Sequence, residues 1–396
     1  SARAPAPGSP WWEHLAADFS ERDEAFELAL RDSLQVRASA ASDVVLRSVA
    51  ASMVGALALP LGYHPLRLRS AERDRAFYGP IAAAGDARRF FRDPPKGVRV
   101  RSRRARFFPG FDPEDGEAEE LSFDSPFVPV NPAQHRDYLK HRHNRTAHAR
   151  LWRHRGSEAR PTIMAIHGFT ADLSLLNEWF FALPWFYRMG CDVLLFTLPF
   201  HGARRMNGSL FSGHGYFAGG PSRINEAVAQ SVMDFRIFRD WLEQERGVRQ
   251  VGVTGVSLGG FTTAAIATVE ERLCFAIPNV PVISLADLVL EWEPMGTVVR
   301  SLLRLTGRRI EDARHMLAAS CPLSYAPALA RERLMIVGGV GDRLAPPKHS
   351  RILWDHWGRC RIHWFPGSHL LHLDRGDYLR QIARFLAGIG FLPRPE

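Results

Sequence analysis

The sequence predicts an α/β protein with a mostly parallel central sheet covered by helices on both faces. Three observations predict it. From about residue 147 onward, short apolar runs alternate with longer helix-compatible stretches, the pattern of repeated βα units rather than of hairpins. Several of those runs, at 162–166, 275–277 and 334–337, are apolar, as strands buried on two faces are. The run Val251-Gly-Val-Thr-Gly-Val-Ser-Leu-Gly-Gly260 passes from a β-branched strand through a serine into a helix-compatible segment. With 396 residues, of which 46% are hydrophobic, the chain has material for one large α/β domain and a smaller addition.

Taken in order, residues 1–10 are rich in Pro, Ala, Gly and Ser and predict a disordered tail. Residues 11–120 predict a mainly helical extension. Trp11, Leu15 and Phe19 recur at helical spacing, and a second apolar helix is expected around 44–59. Residues 49–61 carry no charge but fall short of the roughly 20 residues a spanning helix requires. An acidic loop is expected at 112–120, and the catalytic domain at 121–396. Its strands are placed near 147–153, 162–166, 192–197, 248–254, 275–277, 334–337 and 361–365, with helices at 177–188, 223–245, 258–269, 347–357 and 378–386. Two connections exceed what a plain crossover needs. Residues 207–220 form a glycine- and aromatic-rich loop suited to lining a site. Residues 284–321, with Leu288, Val289, Trp292, Val298, Val299, Leu302, Leu303 and Leu305, predict one or two helices that act as a lid or as plain core cover.

The chemistry centres on Ser257. The strand, turn and helix around it form a Gly-x-Ser-x-Gly nucleophile elbow, in which side chains at Gly255 and Gly259 would collide with neighbouring elements. Such a serine needs a base, a group that orients the base, and donors for an oxyanion. Upstream, strand 162–166 ends in His167-Gly168-Phe169-Thr170, where Gly168 permits close passage and the Phe169 amide joins that of Leu258 as an oxyanion donor. His167 is expected to hold this loop through a side-chain hydrogen bond. Downstream, Asp342 follows strand 334–337 and is the expected orienting acid; Asp287, after the preceding strand, is the alternative. His369 lies in the loop directly after the last strand and is the expected base, whereas His372 is three residues further on.

From about Ala147 to Leu386, these residues and the block Leu198-Pro-Phe-His-Gly-Ala-Arg-Arg205 resemble the α/β-hydrolase superfamily, and within it the group around abhydrolase domain-containing protein eighteen. The resemblance implies Ser257 as nucleophile, His369 as general base and acid, Asp342 as orienter, and Phe169 and Leu258 as oxyanion donors. It implies a cofactor-independent serine hydrolase that cleaves a carboxylic ester through an acyl-enzyme. Acyl transfer or amide hydrolysis by the same residues is the enzymatic alternative, and a non-catalytic binding scaffold the alternative from another class.

Composition narrows the remaining classes. The formal charge of +9 is almost wholly arginine, since Lys96, Lys140 and Lys348 are the only lysines. Arg88, Arg89, Arg92, Arg99, Arg101, Arg103, Arg104 and Arg106 form either a solvated face or one suited to a phospholipid surface or an acidic substrate. No nucleic-acid-binding motif is present, so the expected partner is a small-molecule ester. Cys191, Cys274, Cys321 and Cys360 lack metal-ligand spacing, and two of them open strands, which suggests buried thiols, a reducing compartment and a cytoplasmic location. His135, His141, His143, His148 and His154 are interspersed with arginines that would repel a cation, so no metal is expected there. The first residue is Ser1, which fits either a trimmed leader or a cloning boundary.

Overall fold

One sheet of nine strands organises the described residues, in the order β1-β2-β3-β5-β4-β6-β7-β8-β9. The strands are β1 (Arg101–Arg104), β2 (Gly116–Asp124), β3 (Thr146–His154), β4 (Thr162–Ile166), β5 (Asp192–Phe196), β6 (Val251–Val256), β7 (Ala276–Asn279), β8 (Met335–Gly339) and β9 (Arg361–Phe365). The computed structural model describes residues 10–15, 19, 34–57, 65–105, 111–156, 158–169, 183–293, 295–369, 372 and 375–392. The expected tail at 1–10, apart from Pro10, and the first half of the expected helix at 177–188 lie outside them, while its second half is the helix Leu183–Arg188. From β5 to β9 all neighbouring strands run parallel, while β1, β2 and β3 add an antiparallel edge.

Every residue of β4, β6 and β8 is buried, as their continuous apolar sequences require. Alternate side chains of β4 feed opposite faces. Met164 and Ile166 join the core under the helices Pro221–Arg246 and Leu258–Ile266, while Ile163 and Ala165 join the core under Leu183–Arg188 and Arg375–Gly388. The fold class read from the sequence is therefore the one observed.

The loop expected at 112–120 is corrected: it contains the start of β2, which crosses the proposed boundary at residue 120, so the extension carries strand as well as helix. Its glutamates hid the strand. Glu119 is buried because Ser102, Arg153 and Arg246 all bind it, and Glu120 pairs with Arg103 and Arg150 across the sheet. The same pairing changes the arginine face, since Arg101 and Arg103 on β1 answer Asp124 and Glu120 on β2. Arg106 lies outside the described residues.

The helix expected at 44–59 is found as Leu34–Leu57. It touches the helices Met295–Leu305 and His214–Phe217. The insert contains three helices, Leu285–Glu291, Met295–Leu305 and Ile310–Leu317, rather than one or two. The extension also reaches the insert near its start: Trp12 stacks on His315 at 4.8 Å, and the Trp11 indole donates to Ser324 Oγ at 2.8 Å. Among the described residues, no helix is long and apolar enough to cross a membrane.

Candidate active site

The turn between β6 and the Leu258–Ile266 helix forces Ser257 to φ 57° and ψ −114°, a conformation that L-residues rarely occupy. Packing holds it there. The Ser257 amide donates to the Asn279 carbonyl at 3.0 Å, and the Ser257 carbonyl accepts from the Phe261 amide at 3.0 Å. A Cβ on Gly255 would lie 2.3 Å from the Gly259 carbonyl oxygen, and one on Gly259 would lie 2.0 Å from that of Ile166. Both glycines are therefore steric requirements of the elbow, because backbone atoms have no room to yield.

The loop after β4 runs alongside the serine. A Cβ on Gly168 would sit 3.5 Å from Ser257 Cβ, so the loop passes close beside the serine. His167 pins this loop. Its Nε2 accepts from the Leu198 amide at 3.0 Å, which fixes the proton on Nδ1, and Nδ1 donates to the Gly168 carbonyl at 2.7 Å. The amides of Phe169 and Leu258 donate to no carbonyl among the described residues. Leu258 opens a helix, where the first amides lack internal partners.

Asp342 and His369 meet beyond the carboxyl ends of β8 and β9. Asp342 Oδ2 accepts from His369 Nδ1 at 2.7 Å, and Asp342 Oδ1 accepts from the amides of Leu344 at 2.9 Å and Ala345 at 2.7 Å. The carboxylate is thus oriented by the same turn that carries it. Burial pushes the Asp342 carboxyl above its ordinary value, while His369 pulls it back. Burial alone would depress His369, but Asp342 outweighs it and leaves the imidazole above its ordinary value. No hydrogen bond joins Ser257 Oγ to the His369 ring in this structure.

Asp287, the alternative acid, is used elsewhere and does not contact His369. Its carboxylate forms a buried pair with Arg314, at 2.6 Å to Nη2 and 3.0 Å to Nε, and also receives the Ser284 hydroxyl. His372 packs against the rings of Phe365 and Tyr378.

Two features were not read from the sequence. Asp43, on the Leu34–Leu57 helix, is fully buried and accepts from the amide of His369 at 2.7 Å and from that of Arg343 at 3.1 Å. No local motif marks it, because its partners lie some three hundred positions away. The second is an apolar wall around Phe169, built by Phe211 and Phe217 from one predicted segment and by Val289, Trp292, Met295 and Val299 from the other. The first segment was read as lining a site and the second as a lid or plain core cover, but nothing in the sequence showed that they meet.

No family model matches the chain. Two uncharacterised proteins of Mycobacterium tuberculosis, MT2702 and Rv2627c, are each 29% identical to it, over 81% and 78% of this chain and 75% and 71% of their own lengths. Among solved structures, acetyl xylan esterase 1 from a Thermoanaerobacterium species superposes with a TM-score of 0.53 at 15% identity, covering 80% of this chain and 93% of that one. An acetyl xylan esterase from a Paenibacillus species gives 0.53 at 14% identity, covering 79% and 93%. The chain has the α/β-hydrolase fold. The comparisons give no support to the narrower group named above.

Proposed function

We propose that this protein is a cofactor-independent serine hydrolase acting on a carboxylic ester, with Ser257 as nucleophile, His369 as base and Asp342 as orienter. The observation that carries the reading is the 2.7 Å bond between Asp342 and His369 at the sheet edge where the strained Ser257 turn projects. His369 takes the Ser257 proton as the hydroxyl attacks the acyl carbon, and the oxyanion rests on the Phe169 and Leu258 amides. His369 then returns the proton to the leaving alcohol, and water repeats the cycle on the acyl-enzyme. Asp342 keeps the tautomer with Nε2 free to accept.

An ester is favoured by the apolar wall beside Phe169, which suits an acyl chain, and the fold neighbours named as acetyl xylan esterases agree with it. Fluorophosphonate labelling of Ser257, followed by turnover of p-nitrophenyl esters from acetate to palmitate, tests the reading. A chain that folds but neither labels nor hydrolyses any of these esters overturns it.

A further inference from the structure

The helical extension reaches into the site through one side chain. Asp43 Oδ2 receives two backbone amides, that of His369 on the loop after β9 and that of Arg343 on the loop after β8, next to Asp342. One carboxylate oxygen therefore ties together the two loops whose separation sets the Asp342–His369 bond. The contact is close along this part of the helix. A Cβ on Gly341 would lie 3.0 Å from Val36 Cγ1 and 3.1 Å from the Val36 carbonyl, and Arg47, one turn beyond Asp43, donates to the Arg343 carbonyl at 3.2 Å.

We infer that Asp43 is a positioning residue of the catalytic site: it clamps the acid and histidine loops together, and its charge faces the imidazole beside that of Asp342. The inference deepens the serine hydrolase reading and rests on it. Two effects follow. The clamp fixes where the His369 ring stands relative to Ser257, and small displacements at that point are costly to rate. The charge favours the imidazolium that forms as Ser257 gives up its proton, because it acts in a site from which water is excluded. Two carboxylates face His369, Asp342 from the β8 loop and Asp43 from the helix; both favour its protonated form, against burial, which opposes it. Among the described residues Asp43 Oδ1 is buried with no hydrogen-bond partner, while Oδ2 accepts two amides. An isolated structural carboxylate is seldom left in that state.

Substitution separates the two effects. In Asp43→Asn the carboxamide oxygen still accepts both amides, but the charge is gone; in Asp43→Ala both are lost. The experiment uses the full chain and follows the rate of Ser257 labelling by a fluorophosphonate from about pH 5 to about pH 8, the range in which a histidine titrates. Thermal melts accompany each variant. In parallel, NMR of nitrogen-labelled imidazoles in a Ser257→Ala background follows His369, assigned by comparison with a His369→Gln variant.

Asp43→Ala is expected to slow labelling by about ten- to a hundredfold. Asp43→Asn should recover most of that rate while moving the acid-limb midpoint, and the His369 titration, down by about half a unit to one unit. A folded Asp43→Ala protein that labels like the parent overturns the clamp. An unmoved midpoint and an unmoved His369 titration in Asp43→Asn overturn the electrostatic role. Should Asp43→Ala fail to fold, the Asp43→Asn measurements decide. If the parent chain itself is not labelled, the hydrolase reading falls, and the NMR titration still decides whether Asp43 acts on His369.

Discussion

Asp342 and His369 lie 27 positions apart and share a 2.7 Å hydrogen bond, made by adjacent parallel strands that end side by side. Register alone brings them together: Gly339 at the end of β8 stands opposite Phe365 at the end of β9, and each strand then continues into the loop that carries its functional residue. Topology thus explains why the acid and the base can be far apart in sequence and still read in a fixed order.

Replacing each candidate acid separates orientation from stability. Asp342→Asn should lower turnover by about three to four orders of magnitude, because the amide no longer holds the productive His369 tautomer, with little effect on the melt. Asp287→Asn should do the reverse: it leaves Arg314 buried without its counter-charge and costs about 3–5 kcal/mol of stability. Parallel measurements of kcat and chemical denaturation check both. Loss of turnover in a stable Asp287→Asn protein would make Asp287 the acid.

Ser257→Ala should abolish fluorophosphonate labelling and nearly all ester turnover while leaving the fold intact. Alanine carries the same Cβ as serine and meets the same cost at φ 57°, so stability is expected to stay within about 1 kcal/mol of the parent. Mass spectrometry of the labelled parent protein and ester assays of the variant check this. Undiminished turnover in the variant would exclude Ser257 as the nucleophile.

The pH dependence follows from the sign of the His369 shift. The base must be neutral to accept the Ser257 proton, and the carboxylate of Asp342, outweighing burial, holds the imidazole protonated to higher pH than its ordinary value of 6.5. Turnover should therefore be full on the alkaline side and fall as pH drops through a midpoint above 6.5. A kcat/KM profile measured at constant ionic strength checks it. A midpoint below 6.5 would contradict the charge environment described for His369.

What was legible in the sequence was what is local. Ser257, Asp342 and His369 each follow a strand, fully buried before the first two and largely half-buried before the third, and they were proposed from their immediate neighbours and the strand order. Strand β2 was missed because Glu117, Glu119 and Glu120 read as a solvated loop, and their answering arginines lie on β1, on β3 and at Arg246. Asp43 was missed for a stronger version of the same reason. Along the chain it is one acid in an alanine- and serine-rich helix, and only the folded structure shows that the helix delivers it to His369. That Asp287 pairs with Arg314 while Asp342 meets His369 likewise shows only in three dimensions.

The apolar wall makes the last prediction. On the proposed reading the Phe169 amide is an oxyanion donor; the Phe169 ring meets Phe211 at 5.8 Å and Phe217 at 5.0 Å, so the wall would begin where an acyl carbonyl is held. Trp292 is a poor probe of it, because its indole also donates to the Leu344 carbonyl at 3.1 Å and so supports the Asp342 turn. Phe211 and Val299 belong to the same cluster without that link to the acid. Phe211→Ala combined with Val299→Ala should leave acetate turnover within about twofold and lower kcat/KM for octanoate and longer esters by about tenfold or more, since each methylene removed from contact forfeits about 0.8 kcal/mol. A panel of p-nitrophenyl esters checks it. Equal losses for acetate and long esters would show that these side chains support the core rather than receive an acyl chain.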